Sequence, residues 1–202
     1  VIAQYFAALP SAKVTEDRYL AFAQFLFNES DNAGARIILL QGRRVQDPKT
    51  MRIDKAMSDL AIQLARWDAA VPSLRAVVAS GADTPEQTYR KRLAEALVRT
   101  GQPAEARKEI DALGKDAVDK DHVTTLLLAE AAGAMGDKPL QRATLDKAVK
   151  NFASEPMVYV KRAQVMMTDP SQYREAEADL QAAIKVRTGF WQAHRMLSEL
   201  YR

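Results

Sequence analysis

The 202-residue sequence predicts an all-α solenoid of about five to six repeated helical hairpins. Three observations lead there. Small residues recur at a nearly constant interval in two interleaved series, large aliphatic residues follow one series by four positions, and turn signals separate the two. The first series is Ala23, Ser58, Ala94, Ala129, Ala163 and Ser198, at steps of 35, 36, 35, 34 and 35. The second is Ala35, Ala70, Ala106, Gln141 and Ala176, in which only Gln141 departs from a small residue. Two antiparallel helices pack closely only where one presents Ala, Ser or Gly to the other, with larger residues a turn away filling the groove. Leu39, Leu74, Ile110, Leu145 and Leu180, each four residues after a member of the second series, supply that filling at helical spacing.

Taken in chain order, Val1–Leu9 reads as the tail of an earlier second helix. First helices are then expected near 16–29, 51–64, 87–100, 122–135, 156–168 and 190–202, with second helices near 33–45, 68–80, 104–114, 139–152 and 173–187. Repeats of approximately 16–50, 51–86, 87–121, 122–155 and 156–189, with a partial one at 190–202, make a single repeat domain over 1–202. Proline placement supports the starts. Thr84-Pro85-Glu86-Gln87 reads as a cap, a first-turn proline and a capping box, and Asp47-Pro48 and Gln102-Pro103 open helices in the same way. Pro72 falls about one turn inside its helix. A repeat cannot bury its apolar face alone, and Met196, Leu197, Leu200 and Tyr201 look uncapped, so the chain is expected to be a piece of a longer protein.

Composition excludes several classes. With 48% hydrophobic and 27% charged residues there is enough apolar material for a core, and 8 Gly with 8 Pro is far too few for a collagenous or low-complexity chain. Zero Cys removes disulfide frameworks, thiolate zinc sites, iron–sulfur clusters and cysteine nucleophiles, and fits cytosol and periplasm equally. Lys and Arg total 29 against 26 Asp and Glu, with the signs interleaved, which argues against a nucleic-acid or anionic-membrane partner. No apolar run approaches the roughly 20 residues that cross a bilayer; Glu130 cuts the Thr124–Gly136 stretch and Gln4 cuts Val1–Pro10.

No catalytic constellation appears: the sequence lacks GxSxG, HExxH, GxxxxGK[ST] and GxGxxG. No catalytic, cofactor-binding or metal-binding residue is therefore assigned, and the chain is expected not to be an enzyme. His122 and His194 fall near helix starts in separate repeats and read as packing residues. The recurring Asp17, Asp59, Glu95, Glu130 and Glu199 lack calcium-loop spacing and read as a solvated helix face paired at i to i+4. Met57, Met166 and Met196 share core phases, and Trp67 and Trp191 read as inter-helix packing, with a surface anchor as the alternative for Trp191.

The segment Leu93-Ala94-Glu95-Ala96-Leu97 with Gly101-Gln102-Pro103-Ala104-Glu105-Ala106, together with Tyr173-Arg174-Glu175-Ala176 and Leu197-Ser198-Glu199-Leu200-Tyr201, resembles the tetratricopeptide repeat (TPR) family. It departs from that family's 34-residue period by about one residue and mostly lacks the first-helix tryptophan. The resemblance implies a right-handed superhelix whose concave face, built from first helices, holds a protein or peptide partner. Carrying that phase onto this sequence gives Arg52, Lys55, Lys91, Arg92, Arg99, Lys161 and Arg195 as candidate partner-binding residues, a row suited to an acidic segment. Ion pairs such as Lys55 with Asp59 and Lys91 with Glu95 account for the same residues as a solvated face. The Lys-then-Asn clamp for a C-terminal carboxylate is absent, because Lys55 is followed four residues on by Asp59 and Lys91 by Glu95. Three readings follow: a non-catalytic interaction scaffold; a periplasmic superhelix of a bacterial exopolysaccharide assembly or export system that recruits an enzyme or pore; and an RNA-binding helical repeat. The last is disfavoured because Leu126, Leu127 and Met196 occupy positions that a base code needs polar.

Overall fold

The computed structural model describes residues 15–202, and among them every regular element is helical. The elements are α1 (Glu16–Asn28), α2 (Asn32–Gly42), a 3-10 turn (Arg43–Val45), α3 (Arg52–Gln63), α4 (Trp67–Ala79), α5 (Thr88–Arg99), α6 (Pro103–Leu113), α7 (Lys115–Lys120), α8 (His122–Ala134), α9 (Lys138–Asn151), α10 (Pro156–Met166), a 3-10 turn (Pro170–Gln172), α11 (Tyr173–Val186) and α12 (Trp191–Leu200). All of these helices except α7 lie where the two small-residue series place them. The expected helix tail at Val1–Leu9 lies outside the described residues.

The polypeptide divides into two compact units, residues up to Thr100 and from Gly101 onward. In the first, the hairpins α1–α2 and α3–α4 are followed by α5, which packs on α4. Ala23, Leu26, Ala35, Ile38 and Leu39 form one core with Ile53 and Leu60, so the small residues of α1 and α2 meet as their spacing requires. In the second unit the hairpins are α8–α9 and α10–α11, with α6 and α7 packed on α8 and α12 on α11. Its cores are Leu126, Ala129, Leu145, Ala148 and Val158, and Ala163, Ala176, Leu180, Ala183, Ala193 and Met196 with Phe190.

Four of the five links from a first helix to its second helix carry a left-handed residue, while the link from α10 to α11 runs through the 3-10 turn Pro170–Gln172. Ser30, Ala65, Gly101 and Gly136 have φ of 63°, 53°, 73° and 78°, one period apart. Around Ala65 the turn is closed by Ala65 N–H donating to Ile62 C=O and Arg66 N–H to Ala61 C=O, the bonding that ends a helix through a left-handed residue. Glycine takes this conformation without a Cβ clash at Gly101 and Gly136, whereas Ser30 and Ala65 take it at a cost of roughly 1 kcal/mol.

Three features differ from expectation. Asp47–Thr50 and Thr84–Gln87 are turns, closed by Thr50 N–H to Asp47 C=O and Gln87 N–H to Thr84 C=O, and the helices begin only after left-handed Met51 and Gln87. Two residues cap α5: Asp83 accepts from the Tyr89 and Arg90 N–H groups and the Thr84 hydroxyl from the Thr88 N–H, so Thr84 caps as expected but across the turn rather than in a capping box with Gln87. The short helix α7 has no counterpart in the repeat pattern; it fills the connection from α6 to α8, and Val118 C=O accepts the Thr125 hydroxyl. At Pro103 the helix opens on the proline as expected, and α4 continues through Pro72.

One buried acid in each unit is held by an arginine. Asp54, 3% exposed, takes the Arg43 guanidinium and Gln46 Nε2 at 2.6 Å, while its own N–H donates to Gln46 Oε1 at 2.7 Å. Asp179, 6% exposed, receives Arg162 Nε and Nη2, both at 2.7 Å. Hydrogen bonding to Asp179 makes the Arg162 guanidinium hold its proton more tightly than an exposed arginine.

Two stability outcomes follow from this packing. Ala65→Gly relieves the left-handed Ala and is expected to stabilise the fold by about 0.5 kcal/mol after the added freedom of the unfolded chain is counted; a melting midpoint at or below that of the parent contradicts it. Ala163→Leu, at a fully buried position against Ala176 and Leu180, is expected to cost about 1–3 kcal/mol in urea titration by overpacking.

Candidate functional site

In the second unit, α8 and α10 lie side by side over α9, and a groove of about 800 Å³ opens between them. Leu126, Ala129, Leu145, Val165 and Met166 make its apolar floor, while Glu130, Lys138, Gln141, Arg142, Lys161 and Gln164 stand at its sides. In the first unit the equivalent cavity, over α2 between α1 and α3, has about 390 Å³ and is lined by Ala23, Phe27, Ala35, Leu39 and Leu60.

Register explains the difference in size. Phe27 and Gly133 each lie four residues after the small first-helix residue, so an aromatic ring stands in the first groove where the second has no side chain. Gln141 occupies the vacated space: a Cβ at Gly133 would overlap its amide. The one departure from the small-residue series is thus compensated by a glycine on the facing helix, a coupling that neither residue reveals alone.

The sequence-predicted cations are placed as follows. Arg52 reaches Asp17 at 2.6 Å and Glu16 at 3.6 Å. Lys55 lies over the Tyr89 ring, 5.4 Å from its centroid, and Arg92 covers the same ring at 5.3 Å while pairing with Asp59. Burial pushes the Asp59 carboxyl above its usual range, and Arg92 opposes that rise. Arg99 pairs with Glu95 at 2.9 Å and stacks on Trp67 at 4.6 Å. Lys91 is half-buried on α5 and also takes part in an interaction. In the second unit Lys161 pairs with Glu130 at 2.5 Å, and Arg195 stacks on Trp191 at 5.6 Å with Glu199 3.8 Å away.

Three expectations about side chains are corrected. Asp17, Asp59 and Glu130 pair not four residues along their own helices but with Arg52, Arg92 and Lys161 on the next first helix, because neighbouring first helices lie side by side one repeat apart. Leu126 and Leu127, placed by phase on the partner-facing side, are buried. Trp191 is 62% exposed, so it does not pack between helices. Lys138, exposed at the groove, has no ion pair among the described residues, and sequence phase missed it because it sits on a second helix.

No protein-family model matches the sequence, and no curated protein matches it. Solved structures do. YrrB, described as a TPR protein with an unusual peptide-binding site, aligns with a TM-score of 0.64 at 12% identity over 88% of this chain and 89% of its own. TTC0263, a thermophilic TPR protein of Thermus thermophilus, gives 0.62 at 15% identity over 93% and 99%. PilW, a widely conserved type IV pilus biogenesis factor, gives 0.62 at 16% identity over 92% and 91%. The fold is that of the tetratricopeptide repeat.

The two histidines within this TPR fold each face a neighbouring group. His122 lies 3.9 Å from Glu155 and edge-on to Phe152, and His194 Nε2 is 2.6 Å from the Thr188 carbonyl. Among the described residues no group of three or more His, Cys, Asp or Glu is arranged to hold a metal ion, and no helix is long and apolar enough to cross a membrane. The TPR register also makes the Gly133–Gln141 coupling measurable. Gly133→Ala is expected to gain helix stability, up to about 1 kcal/mol, only when Gln141 is also Ala. A double-mutant cycle should show a coupling above about 0.5 kcal/mol, and strict additivity would refute the contact.

Proposed function

We propose that this chain is a non-catalytic binding scaffold that takes a segment of another protein in the groove across α8, α9 and α10. The observation that carries this reading is the groove itself. It has about 800 Å³, an apolar floor, and polar groups at its sides whose hydrogen bonding is incomplete. Gln141 and Gln164 make no hydrogen bond through their amides, and Lys138 no ion pair, among the described residues. They can therefore bond a partner's backbone or carboxylate without first breaking an internal contact.

An acid-bearing segment fits best. Lys138 and Arg142 stand four residues apart on one face of α9; Arg142 donates to the neutral Gln172 at 3.1 Å and its charge is felt by Asp169, but it makes no ion pair among the described residues. A partner carboxylate there would gain charge-assisted bonds, and at Lys161 it would exchange with Glu130. The row Arg52, Lys55, Lys91, Arg92 and Arg99 of the first unit, and Arg195 on α12, would offer a partner less, since most of their charge is engaged by neighbouring acids or rings. The buried Leu126 and Leu127 support a protein ligand over an RNA code, which requires exposed polar side chains at matched positions. YrrB, of similar fold, has a peptide-binding site by its own description.

The test fills the groove with the residues that the first repeat carries. Gly133→Phe with Gln141→Ala copies the Phe27–Ala35 pair. Peptides selected from a displayed library against the parent protein should bind the double variant at least about tenfold more weakly in calorimetric titration, with an unchanged helical circular dichroism spectrum. Equal affinity for both proteins places the binding surface elsewhere.

A further inference from the structure

On the other side of α9 the second unit has a separate cavity of about 480 Å³, between the second helices α6 and α9, which shares no residue with the groove. Its floor is apolar, with Ile110, Val118, Leu128 and Leu140 contributed by four different helices. Three register positions can be compared across the gaps between second helices of one unit. They are the fifth residue after the small one of the earlier second helix, the residue before the small one of the intervening first helix, and the third after the small one of the later second helix.

In the gap between α9 and α11 these positions are Asp146, Arg162 and Asp179. The Arg162 guanidinium fills the gap, with Nη1 on Asp146 at 3.0 Å and two bonds of 2.7 Å to Asp179. In the gap between α2 and α4 the three are Leu40, Met57 and Ser73, and a guanidinium again rests on the third, here that of Arg43 from the turn after α2, at 2.9 Å. In the gap between α6 and α9 the three residues are Asp111, Leu128 and Thr144. The acceptors persist, and the arginine has become leucine.

Both acceptors have capacity to spare. Thr144 is only 7% exposed and lines the cavity, yet its hydroxyl has no hydrogen-bond partner among the described residues. Open to the cavity, that hydroxyl can accept an incoming donor without breaking an internal bond. Asp111 accepts only Arg107 Nε, shared between its two oxygens at 2.8 and 3.0 Å, which leaves lone pairs for further donors. At the rim Lys147 pairs with Asp119, and Lys115 stands exposed at the mouth.

We propose that this cavity is a binding site for the guanidinium side chain of an arginine on a partner protein. The aliphatic stem would lie on Leu128, Leu140 and Val118, and the planar head would span from Asp111 to Thr144, as Arg162 spans from Asp146 to Asp179 one repeat on. A lysine, with its compact ammonium, could not bridge the two acceptors with parallel donors. A volume of about 480 Å³ exceeds one side chain, so residues flanking the arginine would enter with it.

The test is a methyl-resolved NMR titration of the full chain with Nα-acetyl-arginine methylamide, and with the lysine and citrulline analogues as controls. The expected result is a saturating shift of the Val118, Leu128, Leu140 and Thr144 methyls with the arginine probe in the millimolar range, and little response to either control. Asp111→Asn should weaken the response roughly fivefold, and Thr144→Asp, which copies Asp179, should strengthen it by a similar factor. Leu128→Arg, which copies Arg162, should abolish it; should that variant not fold, the Asp111 and Thr144 variants decide. Equal shifts from citrulline or lysine, insensitivity to Asp111→Asn, or no response at about 10 mM probe overturns the proposal. Because the cavities share no residue, Gly133→Phe with Gln141→Ala should leave this titration unchanged, which keeps the two sites experimentally distinct.

Discussion

Close approach of paired helices at small residues is the constraint on which the other features depend. Where Ala23 and Ala35, or Ala163 and Ala176, bring two backbones together, the larger side chains a turn away have only one place to go, into the core of the same hairpin. A left-handed residue after four of the first helices fixes the return of the chain, and it recurs at Ser30, Ala65, Gly101 and Gly136 even where a Cβ makes it costly. That two of the four are not glycine shows that the turn geometry is imposed by the hairpin contact rather than by local preference.

Once hairpins stack, register carries chemistry from one repeat to the next. A carboxylate on one first helix meets a cation on its neighbour about one period later, as Asp17 with Arg52 and Glu130 with Lys161 do. Side chains behind the first helices meet between second helices, where Arg162 and Arg43 are held. The same rule makes exceptions informative. Gly133, where every other repeat through α10 carries a larger side chain, opens a groove, Gln141 in place of Ala partly fills it, and Leu128, where the next repeat has Arg162, lines a cavity with acceptors at its edge.

Polar interactions divide by burial. The exposed pairs, such as Arg195 with Glu199, contribute little beyond orientation. Asp54 and Asp179 differ because their carboxylates are removed from water and each is met by a guanidinium and further donors or charges. Each cluster ties neighbouring segments together: Arg43 and Gln46 to α3 and α4 in the first unit, and α10 to α9 and α11 in the second.

Helix phase and order within the repeats were legible in the sequence, because a period of about 35 with small residues at two fixed phases admits only stacked helical hairpins. The glycine and proline signals located most ends to within a residue or two. The prolines alone point too early at α3 and α5, where Pro48 and Pro85 lie in turns that precede a left-handed residue, although the expected ranges near 51–64 and 87–100 begin one residue from the observed helices. The candidate cations were legible as positions on first helices but not as partners. Which acid or ring each one meets is set by the lateral spacing of neighbouring helices, and that distance is written in no single repeat. Helix α7, the Gly133–Gln141 fit and both cavities were decided by tertiary structure alone, since each depends on residues that converge from separate helices. A linear pattern fixes which face of a helix a residue occupies; only the packed molecule fixes what stands opposite.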